Sequence, residues 1–204
     1  MGDFEIGSRA KLVFGSANPG KLGEVEKILA GLNCEIVPQG ELGITPVRET
    51  GTSFVDNAMI KARHAASGSG MPAIADDSGL VVDALHGKPG VHSARYAGAE
   101  ASDDENVDKL LDALAQVPAA KRTAHYECAA VWVSPDDSVA PLIADGRWHG
   151  RILTSRRGTG GFGYDPVFLD PLLNKTGAEM SIEEKNCRSH RGEAFRRLAE
   201  LLMK

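Results

Sequence analysis

An α/β fold is the architecture this sequence predicts, and two observations predict it. Short apolar runs of strand length alternate with longer segments whose apolar residues recur every three or four positions. No internal repeat, low-complexity tract or linker-like stretch interrupts the 204 residues, so one α/β unit accounts for the pattern.

Leu12-Val13-Phe14 reads as the first strand. After Gly15-Ser16-Ala17, Asn18 offers an N-cap and Pro19 a first-turn proline. A helix is expected there, with Leu22, Val25, Leu29 and Leu32 on one face. Cys34 to Val37 reads as a second strand. Gly, Thr and Pro then mark a long loop to Thr52 or Ser53, where a helix through Phe54, Ala58, Ala62 and Ala65 begins. Pro72-Ala73-Ile74 reads as a buried strand ending in an acidic turn at Asp76-Asp77, with strand character resuming at Leu80-Val81-Val82. Ser102 opens a third helix, placing Asp103, Asp104 and Glu105 at its positive end and Val107, Leu110, Leu111 and Leu114 along its stripe. Two long β-like runs, Ala124 to Ser134 and Val139 to Trp148, form a hairpin around Pro135-Asp136-Asp137. Ser181-Ile182-Glu183-Glu184 is a capping-box pattern leading towards a terminal helix through Phe195, Leu198 and Leu202.

With 42% hydrophobic residues the chain can bury a sizeable core. A net charge of −5 argues against a general nucleic-acid binder, which needs a basic surface to displace counterions from phosphates. Cys34, Cys128 and Cys187 are widely spaced without a CxxC pair and read as thiols of a reducing compartment rather than a disulfide framework. No apolar run reaches membrane-spanning length, and MGDFEIGSRAK lacks a signal-peptide core. A cytoplasmic protein with no membrane partner is expected. Residues 1–10 read as a flexible N-terminal extension to a single domain over 11–204.

The chemistry concentrates in a few segments at strand ends and helix starts, the positions that surround the ligand crevice of an α/β sheet. Asp76 and Asp77, followed by Ser78 and Gly79, put two carboxylates beside a buried strand. Hard oxygens of this kind suit Mg²⁺, while the bland reading is an Asx turn. Ser16, Ala17, Asn18, Pro19, Gly20 and Lys21 enter a helix whose free N–H groups favour anions, although the P-loop pattern GxxxxGK[ST] is absent. Glu49 precedes Thr50-Gly51, and Asn57 and Lys61 share a face of the next helix. Gly158-Thr159-Gly160-Gly161-Phe162-Gly163-Tyr164-Asp165-Pro166 sets four glycines around two aromatics and lets backbone and ring faces approach a flat ligand. Lys185 with Ser189-His190-Arg191-Gly192 clusters donors for carbonyl or phosphate oxygens.

Taken in order, these segments resemble the inosine/xanthosine triphosphate pyrophosphatases, which hydrolyse non-standard purine nucleoside triphosphates. The resemblance covers roughly residues 11 to 202. It includes Ser16 to Lys21 with Glu24, Glu49-Thr50-Gly51, Phe54, Asn57-Ala58, Lys61-Ala62-Arg63, Ala75 to Leu80, Pro89-Gly90-Val91, Ser93 to Tyr96, Gly158 to Phe168 and Ser189 to Gly192. It implies an elongated mixed β-sheet with flanking helices forming two lobes around a substrate cleft, and a homodimer. By that resemblance Ser16 to Lys21 cradle the triphosphate, Glu49 and Asp77 hold Mg²⁺, and Asp77 is also the proton acceptor. Ser78 touches substrate, while Phe162, Gly163, Tyr164, Asp165, Lys185, His190 and Arg191 form the base pocket. Lys21, Lys61 and Lys185 are expected to face Glu49, Asp76 and Asp77, and donors on His190 and Arg191 to favour a 6-oxopurine over adenine. One departure stands out: the position before Glu49, commonly an acid in these enzymes, is Arg48.

Overall fold

The structure, a computed structural model, describes residues 10–204. Its strands are β1 (Ala10–Phe14), β2 (Cys34–Pro38), β3 (Ala73–Val82), β4 (Thr123–Val133), β5 (Leu142–Ile152), β6 (Phe168–Asp170) and β7 (Lys175–Thr176). They form one mixed sheet in the order β2-β1-β3-β4-β5-β6-β7, parallel across β2, β1 and β3 and antiparallel from β3 onwards. Flanking it are α1 (Pro19–Ile28), α2 (Phe54–Ser69), α3 (Asp103–Ala113), α4 (Ile182–Arg188) and α5 (His190–Leu202). The extension expected at residues 1–10 lies outside the described residues, apart from Ala10, which pairs with Cys34.

Local chemistry accounts for most boundaries. Asn18 caps α1 by accepting from the Lys21 amide, and Ser53 caps α2 by accepting from the Asp56 amide. Ser102 and Glu105 close a reciprocal capping box on α3. Helix α1 stops at Ile28, so Leu32 packs from the turn that follows rather than from the helix. Strand β5 begins at Leu142, later than Val139. Strands β6 and β7 have three and two residues, too few to show a period in the sequence.

Two expectations are corrected. The terminal helix is two helices: Ser189, with φ −73° and ψ 156°, is extended and caps α5 through its Oγ, which accepts from the Gly192 amide. The break lets His190 and Arg191 enter the site from the first turn of α5. The acidic turn is no turn either. Strand β3 runs unbroken through Asp76 and Asp77, which pair with Ala130 and Ala129 of β4. Ten consecutive antiparallel pairings hold the backbone extended, and this overrides the local turn preference of Asp-Asp-Ser-Gly.

The core explains where the site falls. On one face of the sheet, Leu12, Phe14 and Ile74 pack with Val25 of α1 and Phe195 and Leu198 of α5. Further along the same face, Leu80, Val82, Tyr126, Trp148 and Phe168 pack with Val107 and Leu110 of α3. Between these two apolar clusters β3 presents Asp76 and Ser78. The opposite face carries a cluster rich in small residues, in which Ala58, Ala62, Ala65 and Ala66 of α2 lie on Val13, Ala73 and Ala75.

Candidate active site

Strand β3 outruns its parallel neighbour, and this opens the site. Of the ten residues of β3, β1 pairs only with Ala73 and Ile74 before it ends at Phe14. The Gly15 amide donates to the Ile74 carbonyl at 2.8 Å, and the chain turns away into Ser16 to Lys21. Further along, the β3 edge meets the segment from Pro89 to Arg95 instead of another strand: Val81 bridges Pro89 and the Leu80 amide donates to Ser93 Oγ at 2.9 Å. Because side chains alternate along a strand, Asp76 and Ser78 project to one face and Asp77 to the other.

Asp76 is fully buried. Its Oδ2 lies 3.0 Å from Lys21 Nζ and accepts from Arg191 Nε at 3.2 Å and from Ser78 Oγ at 3.2 Å. Burial alone would raise its pKa, but Lys21 and Arg191 hold it far below the usual carboxylate range. Among the described residues Asp76 Oδ1 is buried without a hydrogen-bond partner. Arg191, 2% exposed, also donates through Nη1 to Glu24 and through Nη2 to Ser78 Oγ at 2.7 Å. Glu24 in turn lies 2.9 Å from Lys185 Nζ. Burial opposes ionisation of Glu24, yet Arg191 and Lys185 bring its pKa down.

On the other face, Asp77 Oδ2 accepts from Asn57 Nδ2 at 3.0 Å, and Asp77 Oδ1 lies 3.4 Å from Lys61 Nζ. The same ammonium is 2.6 Å from Glu49 Oε1. Asn57 spans the two segments, since its Oδ1 accepts from the Gly51 amide at 2.8 Å. Gly51 lies so close that an added Cβ would be 2.7 Å from Asn57 Oδ1. Burial raises the Asp77 pKa above its ordinary value against the pull of Lys61 and Lys21. Among the described residues no group of three or more His, Cys, Asp and Glu side chains has metal-holding geometry. Glu49 and Asp77 instead converge as a pair on one cation.

The glycine-rich block wraps Asp165. Its Oδ2 accepts from the Phe162 amide at 3.0 Å and from Lys185 Nζ at 2.6 Å. Gly161, at φ 72°, adopts a left-handed conformation, and any Cβ there would collide with the Asp165 carboxylate. Lys185 Nζ also sits 4.5 Å over the Phe162 ring. The ring abuts Gly20, where an added Cβ would be 2.8 Å from Phe162 Cδ1. Asp103 of α3 reaches across to the block and accepts from the Gly163 amide at 2.7 Å. His190 stacks on Tyr126, with ring centroids 4.6 Å apart and 8° between planes. Burial, with Arg191 and Lys185 nearby, pushes the His190 pKa well below its usual value and keeps the imidazole neutral. Its Nδ1 is buried without a hydrogen-bond partner among the described residues.

These groups line one cavity of about 320 Å³. Its walls include Ser16, Ala17, Asn18, Lys21, Glu49, Lys61, Asp77, Ser78, Phe162, Gly163, Tyr164, Asp165, Lys185, His190 and Arg191. Pro19 and Gly20 are not in the wall and build the first turn of α1 behind it. Lys185 does not face Glu49, Asp76 or Asp77 as expected; its ammonium is taken by Glu24 and Asp165. Sequence reasoning assigned no role to Glu24, Asn57, Tyr126 or Asp103. Glu24 had a signal, its place one turn after Lys21 on α1, whereas Tyr126 had none, because only sheet pairing brings it beneath His190.

Comparison with known proteins gives a consistent result. The sequence profile of the Ham1 family matches residues 12–201. The chain is 57% identical over 194 residues to the dITP/XTP pyrophosphatase of Methylococcus capsulatus, covering 95% of this chain and 96% of that protein. It is 50% identical over 192 residues to the dITP/XTP pyrophosphatase of Pectobacterium atrosepticum, covering 94% and 98%. Among solved structures, a HAM1 protein from Coxiella burnetii superposes with a TM-score of 0.87 at 44% identity, covering 95% of this chain and 98% of that one. The chain belongs to the Ham1 family.

Proposed function

We propose that the chain is a Mg²⁺-dependent nucleoside triphosphate pyrophosphatase that hydrolyses ITP, dITP and XTP to the monophosphate and pyrophosphate. One observation carries the reading: a single cavity joins an acidic and cationic end, built by Glu49, Asp77, Lys61 and Lys21, to an aromatic end built by Phe162, Tyr164 and His190. The relatives named dITP/XTP pyrophosphatase support the substrate class.

Glu49 and Asp77 fit Mg²⁺, which is commonly held by one or two carboxylates while substrate phosphates and water complete its shell. When bound, the ion neutralises charge on the phosphates and polarises the phosphoryl oxygens. Ser16, Ala17, Asn18 and Lys21, which line the cavity where α1 begins, receive phosphate oxygens. Water adds across the α–β phosphoanhydride bond, and Asp77 accepts its proton. Phe162 offers a ring face to the purine, at a distance set by Gly20 and Lys185. Arg191 is committed to Glu24, Asp76 and Ser78, so base reading falls first on His190. Neutral His190 keeps one ring N–H, which donates to a 6-oxo group that adenine lacks.

No helix among the described residues is long and apolar enough to cross a membrane. A cytoplasmic homodimer completes the proposal, and light scattering tests the dimer. The function itself is tested by incubating the purified chain with ITP, XTP, dITP, ATP and UTP plus Mg²⁺ and assaying pyrophosphate. Pyrophosphate release from the 6-oxopurine substrates well above ATP and UTP is expected. Equal turnover of UTP, or release of single phosphates, would overturn the reading.

A further inference from the structure

Lys61 occupies an unusual place for a lysine in a site read as holding a divalent cation. Its ammonium is 2.6 Å from Glu49 Oε1 and 3.4 Å from Asp77 Oδ1, oxygens of the two carboxylates assigned to the metal. The side chain is 11% exposed. Among the described residues Lys61 is the nearest cation to each: Glu49 also meets Arg95 at 3.7 Å, and Asp77 accepts from the neutral amide of Asn57 while Lys21 acts on it from further away. Buried Asp77 and half-buried Glu49, without a cation between them, would repel one another, and Asp77 would also suffer desolvation.

We propose that Lys61 is a positioning residue and a place-holding cation: it bridges Glu49 and Asp77 until a divalent ion displaces it, and its freed ammonium then moves onto the phosphates of the substrate. The inference rests on the metal assignment made above. A divalent ion and an ammonium cannot share the same two oxygens at contact distance without strong repulsion. The Lys61 stem rises from α2 into the same cavity as Lys21, so a displaced ammonium has anionic substrate oxygens as its nearest alternative partners. Metal and nucleotide thereby promote each other's binding, and the linkage is reciprocal. The device also keeps the acid pair preformed, because Lys61 holds the two carboxylates at the separation one cation needs.

The test reads metal binding to the nucleotide-free protein, with Mn²⁺ followed by the loss of its free paramagnetic resonance signal. Lys61→Met removes the competitor, so Mn²⁺ should bind about fivefold or more tighter than to the wild type. Adding Glu49→Gln should abolish that gain. Without metal, Lys61→Met should melt below the wild type, and saturating Mg²⁺ should raise its melting temperature more than it raises that of the wild type. A purely structural or phosphate-binding lysine would not tighten metal binding when removed. Mn²⁺ binding to Lys61→Met that is equal to or weaker than wild type would overturn the inference while leaving the metal assignment standing. Absence of Mn²⁺ binding in both proteins would overturn both. If Lys61→Met does not fold, Lys61→Arg carries the test. A guanidinium should grip both carboxylates more firmly and weaken Mn²⁺ binding, and unchanged or tighter binding would refute the exchange.

Discussion

Asp76 and Arg191 meet in a fully buried ion pair, Nε to Oδ2 at 3.2 Å, that ties the central strand to the first turn of the last helix. Each partner is compensated by others, Asp76 by Lys21 and Arg191 by Glu24, so the charges balance only as a set. Removing one member leaves an uncompensated charge in the interior, and that is where the cost lies.

Asp76→Ala should therefore destabilise the protein by about 3–5 kcal/mol, most of it from the stranded Arg191 and Lys21. Chemical denaturation measures this directly. A loss under about 1 kcal/mol would mean that water reaches Arg191 and that the pair is not buried in solution.

Asp77→Asn keeps the shape of the side chain and changes its charge. Turnover of ITP should fall by orders of magnitude while the denaturation midpoint shifts little, because Asp77 has Lys61 and Asn57 as partners but does not join the Arg191 network. If the variant keeps more than about a tenth of wild-type kcat, a barrier change below roughly 1.4 kcal/mol, the proton-accepting role belongs elsewhere.

Arg191→Ala should lower kcat/KM for ITP and ATP by similar factors, since three of its N–H groups already serve Asp76, Glu24 and Ser78. His190→Ala should instead shrink the ITP-to-ATP ratio by about tenfold, the scale of one lost hydrogen bond. The opposite pattern would restore Arg191 as the base-reading group.

Phe162→Ala should raise KM for ITP with a smaller effect on kcat, by about 1–3 kcal/mol if the ring stacks on the base. Gly20→Ala should act in the same direction, because the new methyl displaces the ring by contact at 2.8 Å. Steady-state kinetics on both variants decide the point. An unchanged KM for Phe162→Ala would remove the ring from the base pocket.

The pH dependence of stability has a defined sign at His190. Its folded pKa is depressed, so the unfolded chain binds the extra proton first, and stability is lost as pH falls through about 6.5. One proton contributes at most about 1.4 kcal/mol per pH unit. His190→Gln should flatten the fall in melting temperature between neutral and mildly acidic pH. An identical slope in the variant would show that His190 is protonated in the fold.

Local chemistry in the sequence determined the caps at Asn18, Ser53, Ser102 and Ser181, the alternation of strands and helices, and the identity of the segments that meet in the cavity. These follow from interactions spanning three or four residues, which a linear reading contains. Tertiary structure alone decided that Asp76 and Asp77 lie in the middle of a strand, since the force holding them extended comes from β4, some fifty residues away. It also decided that two adjacent acids serve opposite faces, one locked by Arg191 and Lys21 and the other sharing Lys61 with Glu49. Which cation meets which acid depends on distances between elements that are remote in the chain. Lys185 illustrates the point: the charge a metal–triphosphate complex requires set it against Glu49, Asp76 and Asp77, and the packing of α4 against α1 gave it to Glu24 and Asp165.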